Sequence, residues 1–284
     1  RVFLQNPRRP KGKKYQFDRR LVYGVATHNV GTVKKKKIEI LNYMNEVGAN
    51  VLALQETKRT ERDEVWKVPG CVVFEHRPKK LVKGNLGIAT IVQRDMFPEV
   101  LEITENMIWI RCGRGEKKLV ICNVYIPTAN AEGKKEVVIE DLKKKIMGYA
   151  GDRKNVNLVV MGDFNMTPSE VKNWIRGQQI PVEVAPMGRG EVTFKRGRSA
   201  SVIDYILHSI GGKAKCSQVS VVDSKISDHN GLSATLSFVQ KTSGPVYKSV
   251  NRFAVLRRLE DDLDDSKFDI SRYQGLIEGE SSEA

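Results

Sequence analysis

Asn29, Glu56, Tyr125, Asp163, Asn165, Asp204, Asp228 and His229 are polar residues at or beside the ends of apolar runs. Leu21 to Thr27 runs into His28 and Asn29, Val51 to Leu54 into Gln55 and Glu56, and Val120 to Val124 into Tyr125. Leu158 to Met161 runs into GDFN, which carries Asp163 and Asn165, while Asp204 lies within SVIDYIL. Asp228 and His229 precede the alternation Leu232, Ala234, Leu236, Phe238. Glu56, Asp163, Asn29 and Asn165 are oxygen donors with no cysteine among them, a set that suits a hard cation, Mg²⁺ or Mn²⁺. Mg²⁺ keeps several waters and completes its shell with substrate phosphate oxygens, so phosphodiester or phosphomonoester chemistry is the natural match. A histidine beside a carboxylate keeps its proton near neutral pH and can hydrogen-bond a phosphate oxygen, with Asp204 the candidate partner of His229. Taken singly, each residue has an ordinary reading as a turn or capping group, and only the joint order points to a site.

Positioning such a set takes strands that end together. Short runs rich in β-branched and aromatic residues predict strands from Leu21, Val51, Gly87, Met107, Lys118, Val156, Ser201 and Gly231. Helical spacing predicts helices over Lys34 to Val47, through Ile38, Leu41, Tyr43 and Met44, and over Lys134 to Tyr149, through Val137, Val138, Leu142 and Ile146. Many strands with few helices predict two packed sheets covered by helices, and strand ends along one edge form a natural crevice for a ligand.

No segment approaches the roughly 18 apolar residues of a membrane span, and the opening at Arg1 leads us to expect a soluble piece of a longer product. Four widely spaced cysteines without a CxxC pair predict an intracellular, reduced protein lacking a zinc site. Net charge is +14, unevenly spread. Residues 1–20 hold eight Lys or Arg against one Asp, a basic arm, whereas residues 241–284 hold seven basic and nine acidic residues. A basic body favours polyanionic partners. The expected organisation is a basic arm over 1–20, a catalytic domain over 21–240, and a linker or tail over 241–284 that contains a short amphipathic stretch.

The order N, QET, NVYIP, GDFN, IDYIL, SDH over residues 21–238 resembles the endonuclease/exonuclease/phosphatase superfamily. Within it, the chain looks most like the apurinic-endonuclease-like domains of non-LTR retrotransposons. The resemblance implies an α/β fold, a four-layered α/β sandwich with two mixed β-sheets packed face to face and helices outside. It implies that Glu56 binds the metal with Asn29 nearby, and that Asp228 supports the metal or the histidine from the other side. Asp163 would position or deprotonate the attacking water, Asn165 would bond the phosphate or that water, and Tyr125 would contact the phosphate or leaving oxygen. His229, oriented by Asp204, would stabilise the pentavalent transition state, and the base is either Asp163 or His229. Two positions depart from the family pattern: His28 stands where an aromatic residue usually precedes the Asn, and Gly31 stands where repair enzymes tend to carry an acid.

VTFKRGRSASVIDYIL is similar to the segment that forms a DNA-touching hairpin in the element-encoded group, which would place Thr193, Lys195, Arg196, Arg198, Ser201 and the nearby Arg189 on DNA. Lys34 and Lys35, in the KKKK run at the predicted helix start, sit where cations oppose the helix dipole, so phosphate contact and a plain solvated face are both compatible. The expectation is therefore a Mg²⁺- or Mn²⁺-dependent endonuclease that acts on double-stranded DNA in the nucleus. It would leave a 3′-hydroxyl to prime a reverse transcriptase domain of the same polyprotein, with no membrane partner. The alternatives are a cellular apurinic endonuclease or 3′-phosphodiesterase, and a catalytically dead DNA-binding module.

Overall fold

Neighbouring residues of the central strands face different apolar clusters, which is why these strands read as unbroken apolar runs. Val25 points into one cluster and Ala26 into another, and Val51 and Leu52 divide the same way. The computed structural model describes residues 19–113, 118–128, 133–150, 157–210, 212 and 214–240. The expected arm, apart from Arg19 and Arg20, and the expected tail lie outside these residues.

In chain order the elements are β1 (Arg19–Asn29), α1 (Lys37–Glu46), β2 (Val51–Gln55), β3 (Cys71–His76), β4 (Ile88–Gln93), β5 (Glu99–Ile103), β6 (Met107–Cys112) and β7 (Leu119–Tyr125). There follow α2 (Lys134–Ala150), β8 (Asn157–Asp163), α3 (Pro168–Gly177), β9 (Val182–Val184), β10 (Phe194–Arg196), β11 (Ser199–Ser201) and β12 (Asp204–Ser209). The last three are β13 (Ala214–Cys216), β14 (Ser220–Val222) and β15 (Gly231–Gln240). One sheet runs β13-β15-β1-β2-β4-β3 with β14 also on β15, the other runs β5-β6-β7-β8-β12-β9, and β10 and β11 form a separate hairpin. Each sheet is mixed: β1–β2 and β7–β8 are parallel and the other pairs antiparallel. Both parallel pairs are joined through a helix, as a parallel connection requires.

The inner faces meet in a core of Val25, Val51, Ala53 and Ile88 against Ile121, Val159, Met161 and Ile206. The outer face of the first sheet packs under Ile40, Tyr43 and Met44 of α1. That of the second packs under Val138, Leu142 and Ile146 of α2 and Val171 of α3. The result is the four-layered α/β sandwich. Among the described residues no helix is long and apolar enough to cross a membrane.

Three differences from the sequence expectation have physical causes. The first helix begins at Lys37 rather than Lys34, because Lys36 is its N-cap and its ammonium is drawn away to the carbonyls of Val30 and Ile226. Ile38 is consequently 74% exposed and Ile40 takes the core position, and Val137 of the second helix likewise lies outside while Val138 is inside. Helix α3 was not expected, yet Thr167-Pro168-Ser169-Glu170 is a capping box with proline in the first turn, a legible start signal.

Candidate active site

Strand register brings Asn29, Glu56, Tyr125, Asp163 and Asp204 together, and the loops after β8 and before β15 add Asn165 and His229. Asn29 pairs with Gln55 across β1–β2, so Glu56 follows directly beyond it. Tyr125 pairs with Asp163 across β7–β8, and Asp163 pairs with Asp204 across β8–β12. The two sheets are joined beneath this edge by Asn123, which is fully buried two residues before Tyr125. The two hydrogens on its Nδ2 are shared among the carbonyls of Leu54 at 3.2 Å and Ala89 at 2.8 Å and Thr90 Oγ1 at 3.1 Å. The side chain also accepts from Gln55 Nε2 at 2.8 Å. A buried polar side chain with every group engaged is a strong positional constraint.

Above it, the two hydrogens on Asn29 Nδ2 connect the sheets a second time, donating to Glu56 Oε1 at 3.2 Å and to Asp163 Oδ2 at 2.9 Å. The Tyr125 hydroxyl donates to Glu56 Oε1 at 3.3 Å, and Lys58 Nζ lies 3.5 Å from Glu56 Oε2. Asp163 Oδ1 accepts from the Asn165 amide at 3.0 Å, and Asn165 Nδ2 is held by the Ile126 carbonyl at 2.9 Å. Glu56 and Asn165 both have positive φ, +52° and +45°. That region is costly for a Glu, and strain of this kind collects where a side chain must be aimed.

His229 Nδ1 faces both oxygens of Asp204, at 2.9 and 3.2 Å, in a pocket where both residues are buried. Burial opposes charge on the ring, but the bond to Asp204 and the fields of Asp204, Asp163 and Asp228 outweigh it and raise the imidazole to about 9. Burial pushes Asp163 up to about 8, helped by the negative Asp204 and resisted by His229, Asn29 and the Asn165 amide. Tyr125 is also raised, by burial first and then by Glu56 and Asp163, so its phenol keeps its proton and remains a donor.

Both raised groups hold protons more tightly folded than unfolded. Their stabilising contribution is complete at low pH and is lost as pH climbs, for Asp163 from the ordinary 3.8 toward about 8 and for His229 from 6.5 toward about 9. His28, lowered by burial from 6.5 to about 4, acts in the opposite sense, but its window closes near 6.5. Thermal unfolding in EDTA is therefore expected to show a midpoint falling by on the order of 5 °C between about pH 6 and 9. Asp163→Asn should flatten that fall, and a level wild-type profile would contradict the assignment.

The family model for the endonuclease/exonuclease/phosphatase family matches residues 26–229. The chain belongs to the endonuclease/exonuclease/phosphatase family. Solved structures of similar fold include the AP endonuclease LMAP from Leishmania major, at 14% identity over 76% of this chain and 87% of that one, with a TM-score of 0.60. The endonuclease domain of TRAS1, a telomere-specific non-LTR retrotransposon, matches at 17% identity over 76% and 98%, with a TM-score of 0.57. The 3′ phosphatase NExo from Neisseria, bound to a product DNA hairpin, matches at 18% identity over 75% and 98%, with a TM-score of 0.56. At these identities the likeness shows the fold.

Members of the endonuclease/exonuclease/phosphatase family are generally divalent-metal dependent. Among the described residues, the one group of three metal-capable side chains with donor atoms mutually within 4.8 Å is Asp163, Asp204 and His229. Its imidazole has Nδ1 committed to Asp204, and Nε2 would have to give up its proton before it could ligate an ion. The half-buried carboxylate of Glu56, with the oxygens beside it, fits a hard cation better. Asp228, expected on the metal side, is exposed, and its carboxylate lies 3.8 Å from Arg196 Nε.

Of the residues expected on DNA, Lys34, Lys35, Arg189, Lys195, Arg196 and Arg198 are exposed and Ser201 is partly so. Thr193 is a correction: it is fully buried, and its hydroxyl oxygen accepts from the amides of Ile203 at 3.0 Å and Asp204 at 3.1 Å. It therefore positions the Asp204 strand instead of facing a ligand.

Several contributors besides Asn123 lie outside the expected set. With Nδ1 donating to the Asn29 carbonyl at 2.9 Å, His28 accepts from Ser224 Oγ at 2.5 Å, and Ser227 Oγ donates to the same carbonyl at 2.5 Å. These bonds secure the SDH loop to β1, the work done by the His at the aromatic position. The basic loop HRPKKLVKGN is also anchored at the site. Thr57 and Lys58 amides donate to Gly87 and Leu86, and Asn106 Nδ2 donates at 3.0 Å to the carbonyls of both Gly84 and Tyr125. Four cations within ten residues were the available signal.

Proposed function

We propose that this chain is a divalent-metal-dependent endonuclease that nicks duplex DNA to leave a 3′-hydroxyl. The observation that carries the reading is the Asn29 amide spanning Glu56 and Asp163, beside a charged His229 held by Asp204. Glu56, with the oxygens beside it, would hold a divalent ion, which when bound would neutralise charge on the phosphoryl oxygens. Asp163, with a pKa brought near the working pH, accepts the proton of the attacking water, and Asn165 keeps that carboxylate aimed. His229, charged and with Nδ1 occupied, donates from Nε2 to a phosphate oxygen as negative charge builds. The Tyr125 phenol donates on the Glu56 side, toward the phosphate or leaving oxygen.

Two basic features flank the site. Exposed Lys79, Lys80 and Lys83 adjoin the Glu56–Tyr125 half, and exposed Lys195, Arg196 and Arg198 adjoin the Asp204–His229 half. This spacing of charge suits a long phosphate backbone better than a small phosphomonoester. The hairpin and the likeness to the TRAS1 endonuclease domain support the finer reading, a nuclear retrotransposon activity whose 3′-hydroxyl primes a reverse transcriptase domain of the same polyprotein. The likeness to LMAP supports a second reading, apurinic endonuclease or 3′-phosphodiesterase.

Supercoiled plasmid incubated with the protein is expected to become open circle with Mg²⁺ or Mn²⁺ and to remain supercoiled in EDTA. Nicking that survives EDTA would overturn the reading. An oligonucleotide with one abasic analogue separates the two roles, since a repair enzyme cuts there far faster than in intact duplex. Mapped nick sites falling on a short consensus would favour the retrotransposon role.

A further inference from the structure

The β10–β11 hairpin is stitched into the catalytic strands at its base. Phe194 forms an antiparallel bridge with His229 itself. The Lys195 amide donates to the Asp228 carbonyl at 2.8 Å, and the Asn230 amide donates to the Thr193 carbonyl at 2.7 Å. On the other side, the Thr193 amide donates to the Ser201 carbonyl at 3.0 Å, and Thr193 Oγ1 accepts from the Asp204 amide. The first strand of the hairpin therefore lies between the segment bearing Asp204 and the segment bearing His229. From this seat the Phe194 ring packs on the imidazole, with centroids 4.9 Å apart and planes inclined at 59°.

We propose that Phe194 is a positioning residue for His229, and that through it the DNA-gripping hairpin and the Asp204–His229 pair act as one block. The proposal rests on the nuclease reading above. The hydrogen bond to Asp204 fixes where Nδ1 points but leaves the ring free to rock about the Nδ1–Asp204 line. A flat side chain packed on the imidazole removes that freedom and fixes the direction of Nε2. Phe194 is only partly buried and its backbone bonds do not depend on its ring, so it can be replaced without dismantling the hairpin. A misplacement of about 1 Å in a reacting group can lower turnover by about 100-fold. Lys195 and Arg196, by contrast, are exposed cations whose loss should weaken binding with little change in the turnover of bound DNA.

The test uses the full chain with Phe194→Ala and Phe194→Tyr. Turnover and duplex affinity are measured on one DNA substrate, and exchange of the His229 ring N–H is measured by NMR in EDTA. Phe194→Ala is expected to lower kcat by about 10- to 100-fold with Kd within about twofold, and to speed ring N–H exchange. Phe194→Tyr, which keeps the ring, is expected to restore kcat to within a few-fold. Three results overturn the proposal: unchanged kcat in Phe194→Ala, a loss of affinity that matches the loss of turnover, or a Tyr variant as impaired as the Ala variant. If the wild-type protein nicks no DNA, the nuclease reading fails. The exchange measurement then decides Phe194 alone: faster exchange supports its hold on His229, and unchanged exchange refutes it.

Discussion

Asp163→Asn and His229→Ala are each expected to reduce nicking at saturating DNA by about 1,000-fold or more, with DNA affinity changed by no more than a few-fold. Asp163→Asn keeps the shape of the side chain but has one oxygen where Asp163 has two, so it can accept from only one of Asn29 Nδ2 and the Asn165 amide, and it removes the proton acceptor. His229→Ala removes the positive charge and leaves Asp204 buried, 2% exposed, without its cation. Because both groups act on one transition state, the double variant should be little worse than the poorer single one. Losses that multiply would mean the two residues work independently. A few-fold loss in either variant would show that the chemistry occurs elsewhere.

Gly162→Ala is expected to cause the largest loss of stability, about 3 kcal/mol or more. A Cβ at this position would stand 1.9 Å from the Val124 carbonyl oxygen and 3.1 Å from its nitrogen, and φ is +151°. The obstruction is backbone of the neighbouring parallel strand, which cannot swing aside as a side chain would. Tyr125 and Asp163 are the next residues on those two strands, so the same substitution separates two members of the site. Urea unfolding measures the loss. Gly148→Ala is the control, lying within α2 with nothing inside 4 Å, and helix propensity favours it by up to about 1 kcal/mol. Equal effects from the two substitutions would refute the steric account.

The layered fold and the members of the site were legible because their signals are local and directional. Apolar runs that end in a polar residue mark strand ends, and parallel register carries Asn29 and Glu56, or Tyr125 and Asp163, to one edge. What escaped depends on partners distant in sequence. Asn123 reads as a stray polar residue in LVICNVY, although its parity with Ile121 and Tyr125 places it inward, where a buried amide needs partners. Thr193 reads as a hairpin residue available to DNA, and only the crossing of β12 shows that it serves the Asp204 amide. Lys36 reads as one of four surface cations until the carbonyls of Val30 and Ile226 are seen to claim it. Helix α3 is different, since its capping box and the helical spacing of Val171, Trp174 and Ile175 are local signals present in the sequence.

Asn123 and Asn29 bind the two sheets to each other at successive depths beneath and within the site. Sheets packed through apolar side chains alone can slide by small amounts, whereas sheets cross-linked by directional bonds cannot. The site is therefore carried on a welded seam, while the exposed cations stand beyond it, Lys79, Lys80 and Lys83 on the HRPKKLVKGN loop and Lys195, Arg196 and Arg198 on the hairpin. Such a division lets the exposed cations change from protein to protein while the cutting centre keeps its geometry, so long as the hairpin base that carries Thr193 and Phe194 is kept with the seam.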